Sequence, residues 1–538
     1  MTPRTAREWA MAAALVLAAV PTPAHAQDST RRAAPRWDEE GAGGQNERYL
    51  RALQLVGEIP VRGWSVRGFS PAELKELSPT GAHPWAKRIV AVPTSGWWVV
   101  RPSVELIANS GFPWGYNDGP TWAGKGITAV AKGGVAGRWR GVSAQLAPHA
   151  WWAQNANFTP LPPVSKNTAA YVDYVETSID LPQRFGATAL GQVDLGESWV
   201  RVDGYGMTAG FSSAAEWWGP GVSSGTILSN NAGGIPRLFV GTSSPRDVRI
   251  GHVHGRVFAG REVRSGFSLD TANKTGKRLG LGFIGSFEPR GVPGLELGVT
   301  RFFHRAWREG GPRLSDIKPL WEPFLKENIP GKDNQTTVAG QPDNQLASLF
   351  GRLVLPKSGL EVYGEFGRED HSWDAMDLTT EPEHISAATF GVQKRIGVPN
   401  SAAYWIMHAE VVNGRVTHLK RVRGEGLFYG HSQMRDGHTL RGQLLASPFV
   451  RGGSGADVGV DHYTASGRFS VRWVRIGLAR NTEGGLGYGA THVIEASGVR
   501  FYTRGDLIWK AGIDRRVGSS ATFDATNINA EIGWRWTR

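Results

Sequence analysis

The 538-residue sequence contains no cysteine. That absence excludes zinc ribbons, iron–sulfur clusters and disulfide scaffolds, all of which need thiols. Beyond the first 30 positions it also lacks any run of about 18 apolar residues, so a bundle of transmembrane helices is excluded. The hydrophobic fraction is 40%, low beside the roughly 45–50% of soluble domains, a benchmark that also counts glycine. Disorder is excluded in turn, because 22 Trp, 21 Phe and 11 Tyr make the chain strongly aromatic.

Residues 1–26 read as a cleaved export signal. Arg4 and Arg7 give a basic start, an apolar stretch too short to span a bilayer follows, and Ala24-His25-Ala26 offers a small-x-small cleavage site. An exported chain without cysteine must close its fold by other means than disulfides. The formal charge of +12 falls by one when Arg4, Arg7 and Glu8 are removed.

Two regions follow. In residues 27–90, Tyr49, Leu50, Leu53 and Val56 recur at helical spacing, and Gly57 supplies a stop. Ser70-Pro71-Ala72-Glu73 carries an N-cap, a first-turn proline and a capping-box glutamate, which predicts a second short helix. From residue 91 to 538 the period becomes two. Leu360, Val362 and Phe366 oppose Glu361, Tyr363 and Glu365. Leu507, Trp509, Ala511 and Ile513 oppose Lys510 and Asp514. Ile528, Ala530 and Ile532 oppose Asn527, Asn529 and Glu531. The same alternation is read for 97–108, with Trp98, Val100 and Leu106 on one face, and for 438–446. In 469–478 the parity changes at Val474, which reads as a bulge or an unplaced turn.

Strands of about ten residues with one apolar face fit an all-β fold, a transmembrane antiparallel β-barrel of about 18 strands after a small helical N-terminal element. The apolar face meets lipid and the polar face lines the interior. Polar inserts at about 153–168, 212–235 and 309–344 are outer loops or segments folded into the lumen.

Motifs for chemistry fail on geometry. Gly280-Leu281-Gly282-Phe283-Ile284-Gly285 resembles a dinucleotide fingerprint but sits inside a strand with no helix after it. His252 and His254 lack a third metal ligand. Glu361 and Glu365 stand ~13 Å apart on a strand, too far for a glycosidase pair. His431 and Ser432 are adjacent and point to opposite faces of a strand. No enzyme constellation and no cofactor site emerge.

What remains are rings beside amides, carboxylates and guanidiniums. Rings cover the C–H faces of sugars and polar groups take the hydroxyls. The ordered runs Tyr116-Asn117-Asp118-Gly119, Trp217-Trp218-Gly219-Pro220-Gly221, Leu228-Ser229-Asn230-Asn231-Ala232, Asp343-Asn344-Gln345, Glu361 through Asp370, Tyr429-Gly430-His431-Ser432 and His438 through Gln443 resemble the Wzi family of capsule-assembly outer-membrane proteins. The resemblance implies an 18-stranded barrel, with the small helical N-terminal element of residues 27–90 acting as a plug, that binds capsular polysaccharide at the cell surface without catalysis. Candidates for contact are Asn117, Asp118, Trp217, Trp218, Asn230, Asn231, Asn344, Gln345, Glu361, Tyr363, Glu365, Arg368, Asp370, His431, Arg441 and Gln443. The basic charge suits an acidic glycan, or the phosphates of outer-membrane lipids. Nucleic acid is not an expected partner, since the basic residues are scattered. The sequence sets no oligomeric state. The competing reading is a porin-like channel for small anions or sugars.

Overall fold

A computed structural model of the chain describes residues 41–537 except 80–82, 87, 89–94, 163–170, 272, 322–342, 370–378, 398–401, 416–425, 452, 479–488 and 519–522. The expected export signal lies outside the described residues. The strands are β1 (Gly96–Asn109), β2 (Gly126–Trp139), β3 (Val142–Leu146 and His149–Ala153), β4 (Leu190–Asp194 and Trp199–Gly204), β5 (Met207–Ser212), β6 (Arg237–Thr242 and Arg246–Asp247), β7 (Gly251–Val263), β8 (Lys277–Pro289) and β9 (Leu295–Ala306). They continue as β10 (Asp343–Leu355), β11 (Leu360–Glu369), β12 (Ser386–Ile396), β13 (Tyr404–Asn413), β14 (Gly453–Thr464), β15 (Gly467–Leu478), β16 (Gly489–Phe501), β17 (Gly505–Gly518) and β18 (Ala525–Trp536). Each pairs antiparallel with its sequence neighbour, and β1 returns to β18 from Ser103↔Arg535 to Asn109↔Asn529. The result is a closed barrel of 18 strands, because the 21 hydrogen-bonded segments include three interrupted strands, β3, β4 and β6.

One end of the barrel carries short turns. Arg140-Gly141 and Tyr205-Gly206 each join two strands with positive φ at both residues (46° and 84°; 52° and 78°). That conformation matches the twist of antiparallel neighbours. The short-turn end of such barrels faces the periplasm. Trp97, Trp139, Tyr205, Trp405 and Tyr502 stand exposed around it, a belt of rings at the lipid headgroup level. Between the two ends the outward parity is apolar, with Leu349 and Ile494 more than 60% exposed.

The expected alternation holds in β11, β17 and β18: Glu361, Asp514 and Asn527 are buried inward while Phe366, Ile513 and Ile528 are exposed. Three expectations are corrected. In β1 the register shifts between Val100 and Ser103. Arg101 and Pro102 oppose Gly133 alone, so Trp98 and Val100 turn inward while Leu106 turns out; a one-residue slip exchanges the faces. In β15 no bulge exists, since pairing with β14 and β16 is continuous. Val474 faces inward because the lumen itself is apolar there, packed with Phe449 and Val450 of a long loop. Residues 438–446 do not span the membrane. They form a two-residue hairpin, Thr439–Leu440 with Gln443–Leu444, inside the barrel.

The plug is built as the helical spacing predicts. Helix α1 (Gln45–Val56) stops at Gly57, whose φ of 84° lets its N–H return to Gln54 O. Helix α2 (Pro71–Glu76) starts on a complete capping box between Ser70 and Glu73. Tyr49, Leu50, Leu53 and Trp85 pack against Tyr404, Ile406, Tyr463 and Val499, residues near the short-turn ends of β13, β14 and β16. The plug thus enters from the periplasmic end.

The inserts take different courses. The 213–236 loop and the described part of the 414–452 loop fold into the lumen, where Trp218, Ile227, Leu228, Phe428, Tyr429, Leu440 and Leu444 share one core. The 307–342 insert instead lays the 3₁₀ turn Leu314–Trp321 along β8 and β9, where Ile317 and Leu320 cover Leu279, Leu281 and Phe303.

Candidate functional site

Two groups of contacts fix the inside of the barrel. The first ties the plug to the wall. Arg51 of α1 donates to Glu361 of β11, and Arg352 of β10 donates to the same carboxylate oxygen at 3.1 Å. Arg352 Nη2 also reaches Gln54 Oε1 at 3.2 Å. His254 Nε2 of β7 lies 3.1 Å from Glu73 Oε1 of α2. A peptide ladder adds to this, with Arg67 N donating to Trp217 O and Gly219 N to Ser65 O.

The second group holds the inward loop. Glu216 accepts from Arg237 (2.7 Å), Arg256 (2.9 Å) and Trp218 Nε1 (2.6 Å). Burial raises the carboxyl's proton affinity, but the Arg237 and Arg256 guanidiniums outweigh it and hold Glu216 at about 2. Trp217 and Trp218 are fully buried, and Arg67 lies 4.5 Å over the Trp217 ring. Gly219, at φ 86°, lets the loop pass Glu365, whose carboxylate a Cβ would strike at 2.6 Å. Tyr363 OH donates to Glu410 Oε2 at 2.7 Å, the oxygen that also receives Val222 N. Gly391 leaves the space the Tyr363 ring occupies.

Asn117, Asn231 and Gln443 join three loops to one another. Asn117, in the left-handed region at φ 57°, is held by the 213–236 loop: its N–H donates to Asn231 Oδ1 (3.0 Å), its amide to Ser223 O (2.9 Å), and its Oδ1 accepts from Ser229 Oγ (3.4 Å). Asn231 Nδ2 donates to Leu444 O, and Gln443 Nε2 to Thr121 O, both at 3.1 Å. Asn230 and Asp118 line an interior cavity.

The remaining candidates separate. Asn344 faces inward and donates to Glu369 at 2.7 Å, while Gln345 faces outward and accepts from Arg301. Arg368 shares the outward parity of Phe366 and donates to Pro382 O. Asp370 lies outside the described residues. His431 and Arg441 belong to the loop-end face. His431 accepts from Met434 N at 3.1 Å, and Arg441, at φ 53° and partly exposed, pairs with Asp194 at 2.5 Å. Lys510 faces the lumen and pairs with Glu531 at 3.0 Å.

The loop-end face also carries a ring cluster that alternation does not predict, since it is assembled from three loops. Trp122 meets Phe185 edge-on at 5.2 Å, and Phe185 meets Phe267 at 6.0 Å. All three are partly exposed. Gly442, beside Arg441, has no room for a Cβ because Phe185 and Pro182 press against it. Arg184 holds the strip from below through Asn155 Oδ1 and Asn157 Oδ1 at 3.1 and 2.8 Å. The part of the strip that is local in sequence is the Leu181-Pro182-Gln183-Arg184-Phe185-Gly186 run. Among the described residues no group of three metal ligands occurs.

Residues 117–485, which contain the inward loops and most of the barrel wall, match the family model of the capsule assembly protein Wzi. The chain belongs to the Wzi family. Its fold is similar to that of Wzi from Escherichia coli, described as an outer membrane protein involved in group 1 capsule assembly and a carbohydrate-binding β-barrel, with TM-score 0.61 at 14% identity over 91% of this chain and 98% of that one. A BenF-like porin from Pseudomonas fluorescens Pf-5 aligns at TM-score 0.41 and 7% identity over 82% of this chain and 98% of that one. OccAB3 of Acinetobacter baumannii aligns at 0.40 and 11% over 81% and 98%. No curated protein matches the sequence. This Wzi-family chain is accordingly an outer-membrane protein, and its buried candidates are the residues that hold plug, loops and wall together.

Proposed function

We propose that this barrel is a non-catalytic receptor that attaches capsular polysaccharide to the cell surface. The observation that carries the reading is a lumen occupied, among the described residues, by the plug and the inward loops, which leaves the loop-end face for a large partner. There Trp122, Phe185 and Phe267 offer half-buried rings, with Arg441 following close on Phe185 through Gly442. Rings meet the C–H faces of a sugar, and a guanidinium meets its hydroxyls or acidic groups. The basic balance of the chain favours an acidic glycan. The buried candidates, Trp217, Trp218, Glu361, Tyr363 and Glu365, hold plug, loops and wall together inside the barrel. The channel reading has the plug and the inward loops against it.

The test is deletion of the gene in its own host. Cell-bound polysaccharide should fall and released polysaccharide rise, with total synthesis unchanged. A deletion strain that keeps its normal cell-bound capsule sinks the reading.

A further inference from the structure

Inside the barrel a chamber of about 290 Å³ lies between α1, the inward loops and the wall formed by β12–β18. Its size lies at the ~300 Å³ lower end of small-molecule sites, enough for one sugar unit and too little for an oligosaccharide. At ~30 Å³ per water, roughly ten waters would fill it.

Most charges on its wall are neutralised in pairs. Arg468 meets Asp461 at 3.0 Å, Arg472 meets Glu495 at 2.8 Å, Lys510 meets Glu531 at 3.0 Å and Arg67 meets Glu47 at 3.1 Å. Arg51 is taken by Glu361. Arg48, in the first turn of α1, lines the same chamber, and among the described residues its guanidinium has no hydrogen-bond or ion-pair partner. Burial and the facing Arg468 and Arg472 guanidiniums hold Arg48 below its usual range, although Asp461 pulls the other way. That end of the chamber is therefore short of negative charge.

Neutral groups on the wall are also unsatisfied. Gln393 Nε2 and Asn230 Oδ1 are buried without a hydrogen-bond partner. One is a donor and the other an acceptor, which is what a hydroxyl needs. Asp118 adds a carboxylate, lifted by burial to about 6, that accepts from hydroxyls once ionised. Buried polar groups in folded proteins are nearly always paired, so orphaned atoms on Gln393, Asn230 and Gln45 around one space mark a site with an occupant.

We propose that this chamber binds one hydroxylated carboxylate of hexuronate size, its carboxylate on Arg48 and its hydroxyls between Gln393 and Asn230. The site lies inside the barrel, apart from the loop-end face, and its existence does not depend on capsule attachment.

The experiment is calorimetric titration of the purified mature protein in detergent micelles with D-glucuronate, D-glucose and inorganic phosphate. Glucuronate should bind, and glucose at least tenfold more weakly, because it lacks the group Arg48 takes. Arg48→Gln should weaken glucuronate tenfold or more with the folded barrel retained on unheated gels. Gln393→Leu, on the wall and away from the helix, should weaken it several-fold and serves where Arg48→Gln does not fold. Absence of glucuronate binding to the unaltered protein overturns the proposal. So does affinity unchanged in both variants, or phosphate bound as tightly as glucuronate.

Discussion

His304 Nε2 lies 2.8 Å from His438 Nδ1, and the proton between them belongs to His304. The assignment follows from the far end of the chain. His438 Nε2 is 2.6 Å from Ile227 O, which only accepts, so that nitrogen carries the hydrogen. A neutral His438 then accepts at Nδ1, and His304 must donate. His304 Nδ1 in turn lies 2.7 Å from Glu262 Oε2, with one more proton between them. A wall residue of β7 is thus connected through a wall residue of β9 to the hairpin and to the backbone of the 213–236 loop.

This chain makes stability depend on pH in a predictable direction. Burial, and then His304, push His438 down from 6.5 to about 3. Between those values the unfolded chain takes up a proton that the fold refuses. The folded state therefore loses stability as pH falls from 6.5 toward 3, by at most about 1.4 kcal/mol per pH unit from this group. His438→Gln keeps a donor for Ile227 O and removes the titration. Unfolding midpoints in detergent at pH 8, 6 and 4 should show a shallower acid loss in the variant than in the unaltered protein. Parallel curves would falsify the assignment.

Arg51, Glu361 and Arg352 form a buried electrostatic contact between plug and wall. Glu361→Ala leaves two guanidiniums buried without their carboxylate, a loss of about 3–5 kcal/mol for a buried pair broken from one side. The plug should loosen before the barrel opens, since strand pairing is untouched. Planar-bilayer recordings should change from closed to intermittently conducting. A variant that stays as silent as the parent would place the plug's hold elsewhere.

Much of this was legible from residue patterns. Glu361, Tyr363 and Glu365 announce an inward face because Leu360, Val362 and Phe366 alternate with them. Ser70, Pro71 and Glu73 announce α2 because capping is local. What the pattern misses is set by packing from afar. Val474 looks out of phase only if the lumen is assumed polar, and Phe449 makes it apolar. The run 438–446 alternates because a hairpin buried against other loops also needs one apolar side. Trp217 and Trp218 look like sugar platforms, yet Glu216, Arg67 and the plug bury them, and no local signal reports that. The ring strip of Trp122, Phe185 and Phe267 brings together residues far apart in sequence, so spacing cannot find it.

Asn117 offers a test of how the loops support one another. Asn117→Ala removes the amide's bond to Ser223 O and places a Cβ-bearing residue without Asn's local tolerance at φ 57°. The loss should be about 1–3 kcal/mol, the range for a buried group left unsatisfied. It should appear as faster proteolysis within 213–236 and 426–450, with barrel strands still protected. Unchanged digestion of those loops counts against the clamp.

The outer face makes the sharpest demand on the proposed function. Phe185 stands between Trp122 and Phe267, and its loss should open the strip while Arg184 still holds the backbone beneath it. Phe185→Ala should therefore weaken binding of the host's polysaccharide by on the order of 1 kcal/mol, roughly fivefold, as one ring contact warrants. Arg441→Ala should weaken an acidic polysaccharide more than a neutral one, with the difference shrinking in high salt, because the contact is charged and partly exposed. Lys510→Ala, deep in the lumen, should leave both affinities as they were. Binding to immobilised capsule at low and high salt separates these outcomes. If the Lys510 variant loses the polysaccharide while the Phe185 and Arg441 variants keep it, the glycan is held inside the barrel and the loop-end face is only its lid.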